Sequence, residues 1–151
     1  MRPAKKVNSF ESIIRCLEKN HPDLIEIYHT YQISTYPLVK IVLGKSNPRR
    51  VLISAGIHGD EPAGIETILS FLENKHYSSY TNNWEITLLP CINPHGYEYG
   101  IRENHDEKDL NRLFKETQSV TEVSFAQSVL STPYELTIEL HEDNESSGYY
   151  L

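Results

Sequence analysis

The chain has 151 residues, of which 38% are hydrophobic, 10% aromatic and 23% charged, the balance of one globular domain able to bury a core. Its apolar runs are only a few residues long, which argues against a membrane-spanning helix, and the charged first twenty residues argue against a secretory leader. A net charge of −7 excludes nucleic acid as a bulk electrostatic partner.

The charge is unevenly spread. Residues 1–50 hold nine Lys/Arg against four Asp/Glu, and residues 51–151 hold five against seventeen. An acidic second half that also carries histidines motivates a search for cation ligands. Cys16 and Cys91 are too far apart for a metal knuckle and too few for a disulfide framework. They read as reduced, buried thiols of a cytoplasmic protein.

The first predicted element is a helix over 9–19, SFESIIRCLEK, with Ser9 as N-cap and Ile13, Ile14 and Leu17 as its apolar stripe. Asn20-His21-Pro22 ends it, and residues 1–30 read as a helical lead-in. Alternation and β-branched residues predict a strand around 31–43, where Pro37 implies an edge or a bulge. The apolar run 51–56, VLISAG, predicts a strand buried on both faces. Pro62 suits the first position of a helix over 62–73. Strand 84–91, helix 119–130 and strand 135–140 follow. This alternation predicts an α/β fold, a single domain over 1–151 with a largely parallel or mixed sheet. The chain stops at Gly148-Tyr149-Tyr150-Leu151, an apolar ending that reads as the start of another element and predicts a domain truncated at its C-terminus.

Three polar segments each follow a predicted strand, where open α/β sheets gather ligand-binding loops. In Gly56-Ile57-His58-Gly59-Asp60-Glu61, an imidazole and a carboxylate three residues apart can reach one metal ion if the turn is tight, and the two glycines permit such a turn. The same residues also read as a loop with a chance histidine and an acid at a helix start. The stretch from Asn93-Pro94-His95-Gly96 to Asp109-Leu110-Asn111-Arg112 reads as a turn or as a binding loop with Arg102 and Arg112 as candidate anion forks. His95 and His105 read as solvated loop residues. In Glu139-Leu140-His141-Glu142, a histidine at a strand end offers the distant third ligand that catalytic zinc sites commonly use.

Taken together, His58-x-x-Glu61, Asn93-Pro94-x-Gly96, Asp109-Leu110-Asn111-Arg112 and His141, in this order over residues 50–151, resemble the zinc carboxypeptidase family. The likeness is strongest to the branch that shades into succinylglutamate desuccinylase and aspartoacylase-like enzymes. The resemblance implies a three-layer α-β-α fold with a mixed, mostly parallel sheet. It implies one Zn²⁺ per chain on His58, Glu61 and His141, with a water in the fourth position. It further implies Arg102 as the group that polarises the scissile carbonyl and stabilises the oxyanion, and Asn111 and Arg112 as holders of a substrate carboxylate. The implied activity is removal of a C-terminal residue from a peptide by zinc-activated water. The alternative is deacylation of an N-acyl amino acid. The family's general-base glutamate lies beyond the third ligand on a later strand and is expected to be absent from residues 1–151. Glu142, next to His141 on an extended segment, is expected to point away from the metal, and Glu139 to share its side. A catalytically inactive zinc-binding fragment is therefore a further reading.

Overall fold

The computed structural model describes residues 5–20, 25–28, 36–116 and 120–143. Helix α1 (Phe10–Asn20) starts where its sequence asks: Ser9 Oγ accepts the Ser12 backbone N–H at 3.3 Å. Its apolar stripe buries Phe10, Ile13 and Leu17. Each such side chain contributes roughly 1.5–3 kcal/mol on burial.

Five strands follow: β1 (Ile25–Tyr28), β2 (Leu38–Leu43), β3 (Arg49–Ala55), β4 (Trp84–Leu89) and β5 (Leu136–Leu140). They form a mixed sheet in the order β1-β2-β4-β3-β5. The β1–β2 and β2–β4 pairings are antiparallel, and the β4–β3 and β3–β5 pairings are parallel. The sheet is thus antiparallel on one side and parallel on the other. Among the described residues β5 pairs only with β3 and forms an edge.

Helix α2 (Pro62–Glu73) and helix α4 (Thr121–Leu130) cover opposite faces, giving three layers. Ile65, Ile68 and Leu72 of α2 pack with α1 and with Ile41 and Leu88 of the sheet. Val123, Phe125 and Ala126 of α4 pack on Leu52 and Leu89 from the other side. The odd and even positions of β3 and β4 therefore serve different cores, as the two-residue period of a strand requires.

Several expectations are corrected here. The strand expected around 31–43 begins at Leu38, and residues 31–35 lie outside those described. Pro37 precedes β2, which is an interior strand, so it marks neither an edge nor a bulge. The lead-in contains the sheet strand β1 as well as a helix, and its four residues are too few for a pattern to show. The run 51–56 is packed on both faces, with Ala55 in one core and Leu52 in the other, while Val51 and Ile53 stay partly open to solvent. Cys91 is buried, but Cys16 is half-buried and its thiol points at Glu73 Oε1, 3.8 Å away. Residues 148–151, which prompted the expectation of a truncated domain, lie outside those described.

Candidate metal centre

The loops after β3, β4 and β5 meet at one end of the sheet. Gly56 turns the chain off β3 with φ of 64°, a conformation that suits glycine. Backbone bonds from Ile92 N–H to Ala55 O (3.1 Å) and from Asn93 N–H to Gly56 O (2.8 Å) fasten the β4 loop to the β3 loop. Gly59 then lies against helix α3 (Pro94–Tyr99) so closely that a Cβ would stand 1.9 Å from the Gly96 carbonyl carbon. This contact holds the His58 turn in place.

Asn93-Pro94-x-Gly96 is the start of this short helix rather than a simple turn. Asn93 is fully buried. Its Oδ1 accepts the Gly96 N–H at 2.8 Å as an N-cap, and its Nδ2 donates to Arg102 O at 3.1 Å. One side chain thus fixes both α3 and the segment carrying Arg102. Its proline at the first helical position was the cue to a helix.

The structure brings His58, Glu61 and His141 together. His58 is buried, Glu61 half-buried and His141 exposed, and one ligand atom from each lies within 4.8 Å of the others. His58 Nδ1 is 2.7 Å from Glu61 Oε1, and His141 Nδ1 is 2.8 Å from Glu61 Oε2. Both imidazoles therefore aim the same nitrogen at one carboxylate. Two imidazoles and a carboxylate form a borderline-soft donor set that fits zinc.

Asp109 was a residue whose position the sequence did not reveal. Its Oδ1 is 3.3 Å from His58 Nε2, and its Oδ2 accepts from Arg102 Nε at 3.1 Å. Arg112 Nε stands 3.5 Å from the same oxygen. Arg102 also reaches to 3.7 Å from Glu61 Oε1, beside the His–Glu–His trio. Asn111 lies in the short helical turn Leu110–Arg112, where its backbone N–H is capped by Asp109 Oδ1 at 3.1 Å. Arg102, Asn111 and Arg112 line a groove of about 340 Å³ together with Asp109, Phe114 and Lys115.

The carboxylates are held ionised. Burial alone would raise the Glu61 pKa, but bonds from the Glu142 backbone N–H, His141 and His58 outweigh it and keep Glu61 below the usual range. Burial also opposes ionisation of Asp109, and the Arg102 guanidinium and His58 reverse that effect. Glu139 behaves in the opposite way. The protein atoms crowding its carboxyl raise its pKa against the pull of His141 and His58, and Glu61 adds to the rise.

Glu142 points away from the trio, as alternation along the chain led us to expect. Its carboxylate accepts the Ala63 N–H at 3.1 Å in the first turn of α2. His95 and His105 are not solvated loop residues. His95 sits on α3, 4.7 Å from the Tyr99 ring and 6.0 Å from the His105 ring, between centroids. Both ring nitrogens of His105 are buried. No helix among the described residues is long and apolar enough to cross a membrane.

Residues 47–151 match the family model of the succinylglutamate desuccinylase/aspartoacylase catalytic domain. Murein peptide amidase A of Escherichia coli is 32% identical over 78 residues, covering 52% of this chain and 31% of that protein. An inactive metallocarboxypeptidase of Paracoccidioides lutzii is 21% identical over 140 residues, covering 85% and 22%. In structure, a metallo-carboxypeptidase from Pseudomonas aeruginosa, solved in complex with (2-guanidinoethylmercapto)succinic acid, superposes with a TM-score of 0.75 at 21% identity. That superposition covers 92% of this chain and 41% of the other, and it shows the fold. The chain thus spans between about a fifth and two-fifths of the length of these relatives.

Proposed function

We propose a function on one premise: this chain belongs to the succinylglutamate desuccinylase/aspartoacylase catalytic domain family. It is the metal-binding part of a zinc-dependent amide hydrolase of the carboxypeptidase type, acting on a peptide whose terminal residue carries a free carboxylate. One observation carries the reading. His58, Glu61 and His141 present their ligand atoms within 4.8 Å of one another at the ends of two adjacent parallel strands.

In this reading His58, Glu61 and His141 hold the zinc. A zinc ion there supplies a Lewis acid that polarises the amide carbonyl and lowers the pKa of water toward neutrality. Arg102, with Nη1 3.7 Å from Glu61 Oε1, sits where a guanidinium can stabilise the oxygen charge that develops on the substrate carbonyl. Asp109 orients His58 by accepting at Nε2, which leaves Nδ1 for the metal. Asn111 and Arg112 take the substrate carboxylate in the adjoining groove. Glu142 is engaged at α2 and Asp109 with His58 and Arg102, so neither is free to act as general base.

The family match favours a second reading, hydrolysis of an N-acyl amino acid, in which the same groove holds the amino-acid carboxylate. Elemental analysis tests the common core of both. About one zinc per wild-type chain is expected, with loss of the metal in His58→Ala. A folded wild type without metal would overturn the proposal. Parallel assays on a short peptide and on an N-acyl amino acid then separate the two readings. Bound zinc with no turnover of either would mark a metal-binding but inactive chain.

A further inference from the structure

The two histidines of the trio are not equally supported. His58 has Glu61 at Nδ1 and Asp109 at Nε2. His141 has Glu61 at Nδ1, and none of the described residues hydrogen-bonds to its Nε2. A metal-ligating imidazole commonly turns its second nitrogen to a carboxylate or carbonyl. His141 stands at the end of β5, the strand whose outer edge has no partner among the described residues.

That edge is complementary to itself. Its sequence is Leu136-Thr137-Ile138-Glu139-Leu140, with the apolar side chains on one face and Thr137 and Glu139 on the other. Set antiparallel to a second copy about Ile138, Leu136 lies opposite Leu140, Ile138 opposite Ile138, and Thr137 opposite Glu139. A slip of one residue would set Leu136 and Ile138 against Glu139 and Thr137, and a slip of two would unpair the ends. The same register carries one step further and sets Glu135 of each copy opposite His141 of the other, an acid facing an imidazole at both ends. Glu135 already runs with the sheet, since its N–H donates to Arg50 O at 2.9 Å. Arg49, stacked 3.9 Å from the centre of the Trp84 ring, holds its Oε2 at 3.2 Å and leaves Oε1 open.

We propose that two copies of this chain pair antiparallel through β5, and that the partner's Glu135 becomes the outer support of His141. The pairing is isologous, so both metal centres gain the same carboxylate. The apolar groove of Leu136, Ile138 and Trp84 then continues from one copy into the next. Glu135 is a positioning residue, and its role rests on the assignment of His141 as a zinc ligand.

Sedimentation of the full 151-residue chain over a range of concentrations tests the pairing. A dimer is expected, with Ile138→Lys monomeric because two ammonium groups would meet at the axis. A monomer at every concentration would overturn the proposal and leave the edge to chain outside the described residues. A dimer that survives Ile138→Lys would overturn it too. Zinc affinity, measured by chelator competition, tests Glu135. Glu135→Gln should remain dimeric, since its exposed bond to Arg49 contributes little, and should bind zinc about tenfold more weakly. Wild type diluted to monomer should weaken to the same degree. Equal affinity in monomer and dimer, or in Glu135→Gln and wild type, would overturn the role of Glu135. A dimer that binds no zinc would instead refute the metal reading, while sedimentation still decides the pairing.

Discussion

Asp109 Oδ1 lies 3.3 Å from His58 Nε2, while His58 Nδ1 lies 2.7 Å from Glu61 Oε1. A carboxylate kept ionised by Arg102 thus faces one nitrogen of the imidazole and leaves the other for the site. Such outer partners fix the tautomer and ring orientation of a metal-ligating histidine. Asp109→Ala is expected to lower zinc affinity by about ten- to a hundredfold with the three ligands intact. Competition against a chromophoric chelator measures this, and unchanged affinity would show that His58 needs no such support.

The contact of Gly59 with Gly96 leaves no room for a side chain. The backbone on the far side belongs to α3 and cannot rotate away as a side chain would. Gly59→Ala is expected to cost about 1–3 kcal/mol of stability through overpacking. It should also weaken metal binding, because the displaced turn carries His58. Urea denaturation reports the first effect, and a midpoint equal to that of wild type would contradict the packing described.

Acid should unfasten the amino-terminal segment. Burial works against ionisation of Glu98, but hydrogen bonds from Lys6 and Tyr36 prevail and its carboxyl lies below the ordinary range. Lys6 Nζ is 2.6 Å from Glu98 Oε2. A carboxyl depressed by folding adds stability that is complete above its unfolded value of about 4.5 and is lost as pH falls through the folded value. Glu98→Gln should therefore be less stable than wild type at pH 7, with the gap closing below about pH 4. Thermal melts across pH 7 to 3 would show it, and a constant gap would refute the assignment.

Strand β5 exposes Leu136 and Ile138 on its α2-facing side, at 49% and 37% of their surface. They join Trp84, Phe71 and Tyr80 in an apolar groove beside an edge that has no partner among the described residues. Edges of this kind promote association unless they carry charge. Ile138→Lys is expected to lower concentration-dependent light scattering without unfolding the chain. Equal scattering by the two proteins would mean that association, if present, uses another surface.

Much of the fold was legible because it was local. Helix α2 occupies 62–73 as expected, since Pro62 fixes its first turn and the apolar period is plain. The chemistry of the trio was legible as ligand type and order. Its geometry was not, because Glu61 and His141 are brought together only by the pairing of β3 with β5. Helix α3 was hidden by a motif that also describes a turn, and Asn93 reveals its role only through partners at Gly96 and Arg102. Asp109 carried no local mark of its contact with a histidine 51 positions away. His95 packs on Tyr99 one helical turn ahead and on His105, contacts that were hidden because α3 itself was, and it also meets the Tyr36 ring from a distant segment.

The parallel neighbours β3 and β5 also set an order of events. His141 meets Glu61 across 80 residues of sequence, so the trio stays incomplete until the last described strand has docked. Closures that long are slow, because the chain loses entropy before the contact rewards it. A cation gripping both ends would act as a clasp on that late step. It would slow the release of β5 far more than it hastens its arrival, and metal supply would then govern how long the edge strand stays in place.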